Sequence, residues 1–253
     1  MDEFETQQLF RICEEMAIHT ARSLCSILST ENPCYGEHEG SGTYIKIGEQ
    51  TFIVTAEHVI RRANRDSRKP AFTIGDQRIP LPLCYPVFTS EHPEADLAVI
   101  QIPNEALHGT DRVAVDLSFL AAASDENDNV LFIHGYPGEK SRFFALANGI
   151  VSTTLPYGTF SSPLLPPFSP QDHFAIQYLQ ENQQTVDGNR ADLPHPGGLS
   201  GSAVWRSNQQ EPNWNASFSK IIGIAIRYNE HSSSIVVTRV ELLMDLLRAY
   251  YKL

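Results

Sequence analysis

Short apolar runs separated by glycine, proline and polar turns recur along most of this chain. Thr43-Tyr-Ile-Lys-Ile47, Thr51-Phe-Ile-Val-Thr-Ala56, Phe72 to Ile74, Arg78 to Leu83 and Asp96 to Ile102 fall in the first half. Val130 to His134, Phe143 to Ala147, Gly149 to Thr154, Phe174 to Leu179, Ala203 to Trp205, Lys220 to Tyr228 and Ile235 to Thr238 follow. Runs of this length, rich in β-branched and aromatic residues and bounded by turn formers, predict strands. Residues 157–171 hold Pro163, Pro166, Pro167 and Pro170, a composition that predicts an exposed loop. Residues 183–196 predict a long polar loop.

Helical spacing is confined to the two ends. Apolar residues from Phe4 through Met16 to Leu28, without Gly or Pro, predict a helix over about 4–28. Val240 to Tyr251 predicts a second. Many short strands flanked by terminal helices favour an all-β fold, with no internal repeat.

Composition narrows the function. The chain has 253 residues, ample for a sizeable core, and a net charge of −11. That charge provides no basic field for nucleic acid or an anionic membrane. Cys13, Cys25, Cys34 and Cys84 form no CxxC pair, which argues against structural zinc and reads as reduced thiols in a cytoplasmic protein. The acidic N-terminus has no basic n-region or apolar h-region, and no run reaches transmembrane length.

Candidate chemistry centres on Pro196-Gly197-Gly198-Leu199-Ser200-Gly201-Ser202. Glycines around a serine allow close backbone approach and strained angles. The amides of Gly198 and Ser200 can aim at one point as an oxyanion hole. A serine nucleophile also needs a base. His58 follows the apolar run 51–56, on what reads as a small-residue turn, and Asp96 opens the run 97–102. Asp76, Glu91, Glu94 and Asp111 are rival carboxylates, but none starts a comparable run. Ser202 is a rival nucleophile without a glycine two residues before it. His19, His92, His134, His173 and His231 are dispersed and read as structural, leaving no metal site.

The order His58, Asp96, Ser200, with Gly40-Ser41-Gly42 before the histidine and Gly135-Tyr136-Pro137 midway, resembles the chymotrypsin-like serine proteases. The resemblance spans roughly residues 37–250 and is closest to the disulfide-free bacterial branch of the high-temperature-requirement type. It implies two packed six-stranded antiparallel β-barrels: residues 37–120 carrying His58 and Asp96, and residues 121–253 carrying Ser200 and a C-terminal helix, after an N-terminal helical extension over 1–36. It implies a serine endopeptidase acting on protein or peptide through an acyl-enzyme, without cofactor.

Pro194, Ile226, Arg227 and Tyr228 would line the substrate site, the last three by strand addition. Pro194 stands where trypsin-like enzymes carry a carboxylate, which weighs against a Lys or Arg preference, although Asp187 and Asp192 are near. Leu199 replaces the aspartate that many relatives use for activation. The enzyme is then constitutive, or an activating partner orders the 183–196 loop. The competing reading is a catalytically inactive protease fold acting as a binding module. An α/β-hydrolase fits poorly, because its histidine follows the serine.

Overall fold

A computed structural model of the protein describes residues 3–32, 35–65, 68–75, 79–92, 94–122, 129–144, 149–181, 183–184 and 189–251. The chain starts with helix α1 (Glu3–Ala21). A first sheet follows, built from β1 (Leu24–Asn32), β2 (Tyr35–Ile47), β3 (Gln50–Ala56), β4 (Lys69–Ile74), β5 (Leu81–Pro82), β6 (Val87–Thr89), β7 (Leu97–Ile102) and β8 (Val115–Asp116). The short helix α2 (Glu57–Ala63) interrupts it between β3 and β4. The strand order is β5-β4-β1-β2-β3-β7-β6, with β8 added to β2.

The second half contains β9 (Leu131–Gly135), β10 (Ser141–Phe144), β11 (Gly149–Ser152), β12 (Leu155–Thr159), β13 (Ser161–Ser162), β14 (His173–Gln177), β15 (Gln183–Gln184) and β16 (Arg190–Ala191). It ends with β17 (Ala203–Arg206), β18 (Lys220–Asn229), β19 (Ser234–Arg239) and helix α3 (Val240–Tyr251). Its main sheet runs β12-β9-β17-β18-β19-β14-β13, while β10-β11 and β15-β16 are separate hairpin pairs. The expected architecture of two curled, mostly antiparallel sheets is present. The sheets hold eight and seven strands, several only two or three residues long.

Alternation along each strand explains why the apolar runs are unbroken. Phe52 and Val54 face the contact between the sheets, whereas Ile53 faces the interior of the first. Leu97 and Val99 share that contact, and Ala98 and Ile100 point inward. In the second sheet Phe132 and Trp205 point to the contact, while Leu131, Ile133 and Val204 fill its own interior. Successive side chains thus enter two different cores, so both faces must be apolar. Fully burying each Ile or Phe contributes about 1.5–3 kcal/mol.

Two local expectations are corrected. The N-terminal helix ends at Ala21, not near 28, and Leu24 to Leu28 form β1. Thr20 and Ser23 close the helix, with Ser23 N–H and Oγ both bonded to the Thr20 carbonyl. Leu24, Cys25, Ile27 and Leu28 are fully buried. A stretch buried on every side carries no periodicity to distinguish strand from helix. The first sheet therefore begins inside the segment read as an extension. His58 lies on the first turn of α2 rather than on a turn without helix.

Candidate active site

His58 and Asp96 are brought together by adjacent strands. β3 pairs with β7 in the register Ala56↔Leu97, so the residues leaving both strands meet at one end of the sheet. Glu57 N–H donates to the Asp96 carbonyl at 3.0 Å. His58 N–H donates to Asp96 Oδ1 at 2.9 Å, and His58 Nδ1–H to Oδ2 at 2.6 Å. The short ring bond fixes the tautomer, because an ionised carboxylate only accepts. Nε2 is left as the available base. Asp96 adopts φ +48°, a left-handed conformation that aspartate tolerates better than most residues. The His58 and Asp96 side chains are 13% and 17% exposed, which removes most competing water.

Ser200 sits on a loop of two overlapping turns, Leu199 N–H to Pro196 O and Ser202 N–H to Leu199 O, each 3.0 Å. Gly201 has φ +89°, and a Cβ there would strike the Ser41 carbonyl. Gly198 has φ +98°, and a Cβ there would lie 2.6–2.7 Å from Gly138 N, His38 Nε2 and Tyr136 O. Both positions require glycine.

Ser41 pins this loop to the first sheet. Its N–H donates to the Ser200 carbonyl at 2.8 Å and its hydroxyl to the Gly198 carbonyl at 2.8 Å. It also accepts from Tyr136 N–H at 2.8 Å, and its carbonyl accepts from Thr55 Oγ1. Gly138 N–H holds the Gly197 carbonyl at 2.7 Å. In a trans peptide the next N–H, that of Gly198, points the opposite way. Among the described residues, the amides of Gly198 and Ser200 have no acceptor.

His38 braces the same loop. Its Nε2–H donates to the Tyr136 carbonyl at 2.8 Å, and its Nδ1 accepts from Ser26 Oγ at 2.9 Å. Burial lowers its pKa to about 4, so the ring is neutral.

Ser200 Oγ donates to the Ile226 carbonyl at 3.3 Å. Ile226, His58 and Asp96 line one cleft of about 230 Å³, together with Glu94, Phe168 and Arg227. Arg227 is exposed, its guanidinium 5.6 Å from the Phe168 ring centre. From Arg227 to Asn229, β18 pairs with β19 on one side, Ile226 falls at the register shift before them, and no described strand pairs with the other side of residues 226–229. Pro194 and Tyr228 converge elsewhere: Tyr178 OH donates to the Pro194 carbonyl at 2.8 Å, and the Tyr228 ring lies edge-on to Tyr178 and His195. Asp187 lies outside the described residues.

The rivals separate physically. Ser202 is fully buried, and its hydroxyl has no partner among the described residues. Asp111 reaches Arg112, and Glu91 is exposed; Asp76 lies outside the described residues. His38, Tyr178 and His195 were not singled out by sequence. Only the Gly-Ser-Gly context of Ser41 marks it. No metal-holding cluster of three His, Cys, Asp or Glu occurs among the described residues. Among them, no helix is long and apolar enough to cross a membrane.

The serine protease domain of the Sesbania mosaic virus polyprotein is similar in structure, with TM-score 0.51 and 14% identity over 91% of this chain and 92% of that one. A Sesbania mosaic virus structure concerned with coupled folding and binding of the disordered VPg protein matches with TM-score 0.50 and 14% identity, covering 92% and 90%. At such identity the likeness is one of fold. A comparison with curated protein sequences finds no match. The family model described as the trypsin-like peptidase domain matches residues 40–211, a span that takes in His58, Asp96 and Ser200, and the chain belongs to that family.

Proposed function

We propose that the protein is a serine endopeptidase whose base is His58, whose orienting carboxylate is Asp96 and whose nucleophile is Ser200. The observation that carries this reading is the His58–Asp96 pair, closed by two hydrogen bonds in a cleft it shares with Ile226, whose carbonyl holds the Ser200 hydroxyl. In the reaction, Ser200 Oγ leaves that carbonyl and turns to His58 Nε2. His58 takes its proton as Oγ attacks the scissile carbonyl, then returns it to the leaving amine. Asp96 stabilises the imidazolium. The amides of Gly198 and Ser200 receive the developing oxyanion. Water then cleaves the acyl-enzyme by the same route.

The substrate strand is read as adding to the open side of Ile226, Arg227 and Tyr228. Pro194 stands at the primary pocket, and no Lys or Arg preference belongs to this reading. The bacterial disulfide-free affinity and a cytoplasmic site rest on the motifs and on unpaired Cys13, Cys25 and Cys84. The bonds from Ser41 and Gly138 to the serine loop favour a constitutive enzyme over one that awaits a partner.

The second reading, an inactive binding module, is favoured by one observation: Ser200 Oγ is bonded to Ile226 rather than to His58. Labelling with a fluorophosphonate discriminates. The protease reading expects labelling that is lost in Ser200→Ala and His58→Ala and kept in Ser202→Ala. An unlabelled wild type would favour the binding module.

A further inference from the structure

Asp96 belongs to the first sheet, yet the two residues before it are held by the second. His173 Nε2–H donates to the Glu94 carbonyl at 2.9 Å. Thr238 Oγ1 donates to the Ala95 carbonyl at 2.7 Å. His173 and Thr238 stand directly opposite each other on β14 and β19, so two neighbouring side chains capture two consecutive carbonyls. Both are fully buried. Arg239 N–H donates to the Asp172 carbonyl at 2.9 Å and closes the ladder beside them.

The need for such a hold follows from Asp96 itself. A non-glycine residue at φ +48° is less stable than one in an ordinary conformation and persists only where its flanks are fixed. Its C-terminal flank is fixed by β7 and by the bond from Glu57 N–H. Its N-terminal flank is a turn, with Ala95 N–H bonded to the His92 carbonyl, followed at once by Asp96. β6 and β7 anchor the two ends of that turn in the first sheet, with Ser90 N–H bonded to the Leu97 carbonyl at 3.3 Å, while the Glu94 and Ala95 carbonyls within it are held from the second sheet. Phe168, which lines the cleft, lies 5.1 Å edge-on to the His173 ring and packs it in place.

We propose that His173 and Thr238 are positioning residues for the triad carboxylate: a latch across the two sheets that holds the Glu94–Ala95 backbone so that Asp96 meets both N–H groups of His58. The inference rests on the protease reading for its kinetic consequence, but not for its structural one. Small displacements of catalytic groups are costly, because about 1 Å can lose 100-fold in rate.

The test uses the full chain and two independent readouts. The first is the proton between His58 Nδ1 and Asp96 Oδ2, which a 2.6 Å hydrogen bond shifts far downfield of the amide envelope in the proton NMR spectrum. It is assigned by its loss in Asp96→Ala. The second is the rate constant for fluorophosphonate labelling, per folded molecule. Thr238→Val is isosteric and removes one donor; His173→Leu removes the other and serves if Thr238→Val does not fold. Thr238→Ser and His173→Gln keep the donors. Ile176→Ala lowers stability on β14 from the separate core of the second sheet, without touching residues 94–96.

The latch expects the downfield line to move or broaden in Thr238→Val and His173→Leu and to stay in Thr238→Ser, His173→Gln and Ile176→Ala. Labelling should slow about 10- to 100-fold in the first pair only. An unchanged line in both donor-removing variants overturns the proposal, as does an equal change in Ile176→Ala. A wild type that does not label, but whose line responds as expected, sinks the protease reading and leaves the latch standing.

Discussion

Asp96 offers one carboxylate oxygen to the backbone N–H of His58 and the other to its ring Nδ1–H, at 2.9 and 2.6 Å. Position and tautomer are thereby set by one side chain. Asp96→Asn should keep the fold and lower kcat/KM by about 10⁴, since an amide nitrogen facing Nδ1 demands the wrong tautomer. Steady-state kinetics on a cleaved peptide, beside a melting curve, checks this. A loss below tenfold would mean that Asp96 is not the orienting group.

Ser41 donates to Gly198 and accepts from Tyr136 N–H with one hydroxyl. Ser41→Ala removes both of these buried hydrogen bonds, which should cost about 1–3 kcal/mol of stability. The loop that presents the Gly198 amide loses one tether, so labelling should slow even where the protein is fully folded. Denaturant unfolding and labelling rates, measured together, separate the two effects.

Gly201 tolerates no side chain, because a Cβ would meet the Ser41 carbonyl and Thr55 Oγ1 in a conformation with φ +89°. Gly201→Ala should abolish labelling and lower the melting temperature. Gly48, also at positive φ but with open space around it, is the control. Gly48→Ala should cost only the left-handed strain of roughly 1–2 kcal/mol and leave labelling intact.

Acid should destabilise the protein from just below pH 6.5. Burial lowers His134 to about 3 and His38 to about 4, so the folded chain keeps both rings neutral while the unfolded chain protonates them. Stability is therefore constant with respect to these groups above about pH 6.5 and falls as the pH drops toward 4 and then 3. For His134, which is 2% exposed, the loss between pH 6.5 and 5 is about 2 kcal/mol. His134 Nδ1–H donates to Thr20 Oγ1, which itself donates to the Met16 carbonyl. His134→Asn should keep that donor and flatten the melting temperature against pH. An unchanged slope would contradict the assignment.

The thiols should differ in reactivity. Cys84 is exposed, Cys25 is fully buried, and burial pushes the Cys13 thiol up to about 11 and Cys25 higher still. Among these three thiols, a maleimide at neutral pH should modify Cys84 first and Cys25 only on unfolding. Mass spectrometry of timed digests reads the order.

What was legible in the sequence had a local signature. The strands before His58 and after Asp96 announced themselves as apolar runs, and Gly198 and Gly201 marked a loop that needs positive φ. The all-β class followed from many short strands with turns, and the two-sheet arrangement from the family resemblance that the motifs carry. Leu24 to Leu28 misled because burial on both faces leaves no period to read. His38, His173 and Thr238 carried no signal at all. Their partners, Tyr136, Glu94 and Ala95, lie 98, 79 and 143 residues away, and each contact is made to a backbone carbonyl that every residue possesses.

The two terminal helices cross over. α1 precedes the first sheet but packs Ile12 and Met16 into the core shared with the second and lies along β9 and β12. α3 follows the second sheet, and its Tyr251 ring packs on Phe52 and Phe88 of the first. Each half of the molecule thus wears a strap sewn to the other. Prying the halves apart means peeling Ile12 and Met16 of one strap and Tyr251 of the other out of their packing, so widening the cleft between the halves carries the cost of both.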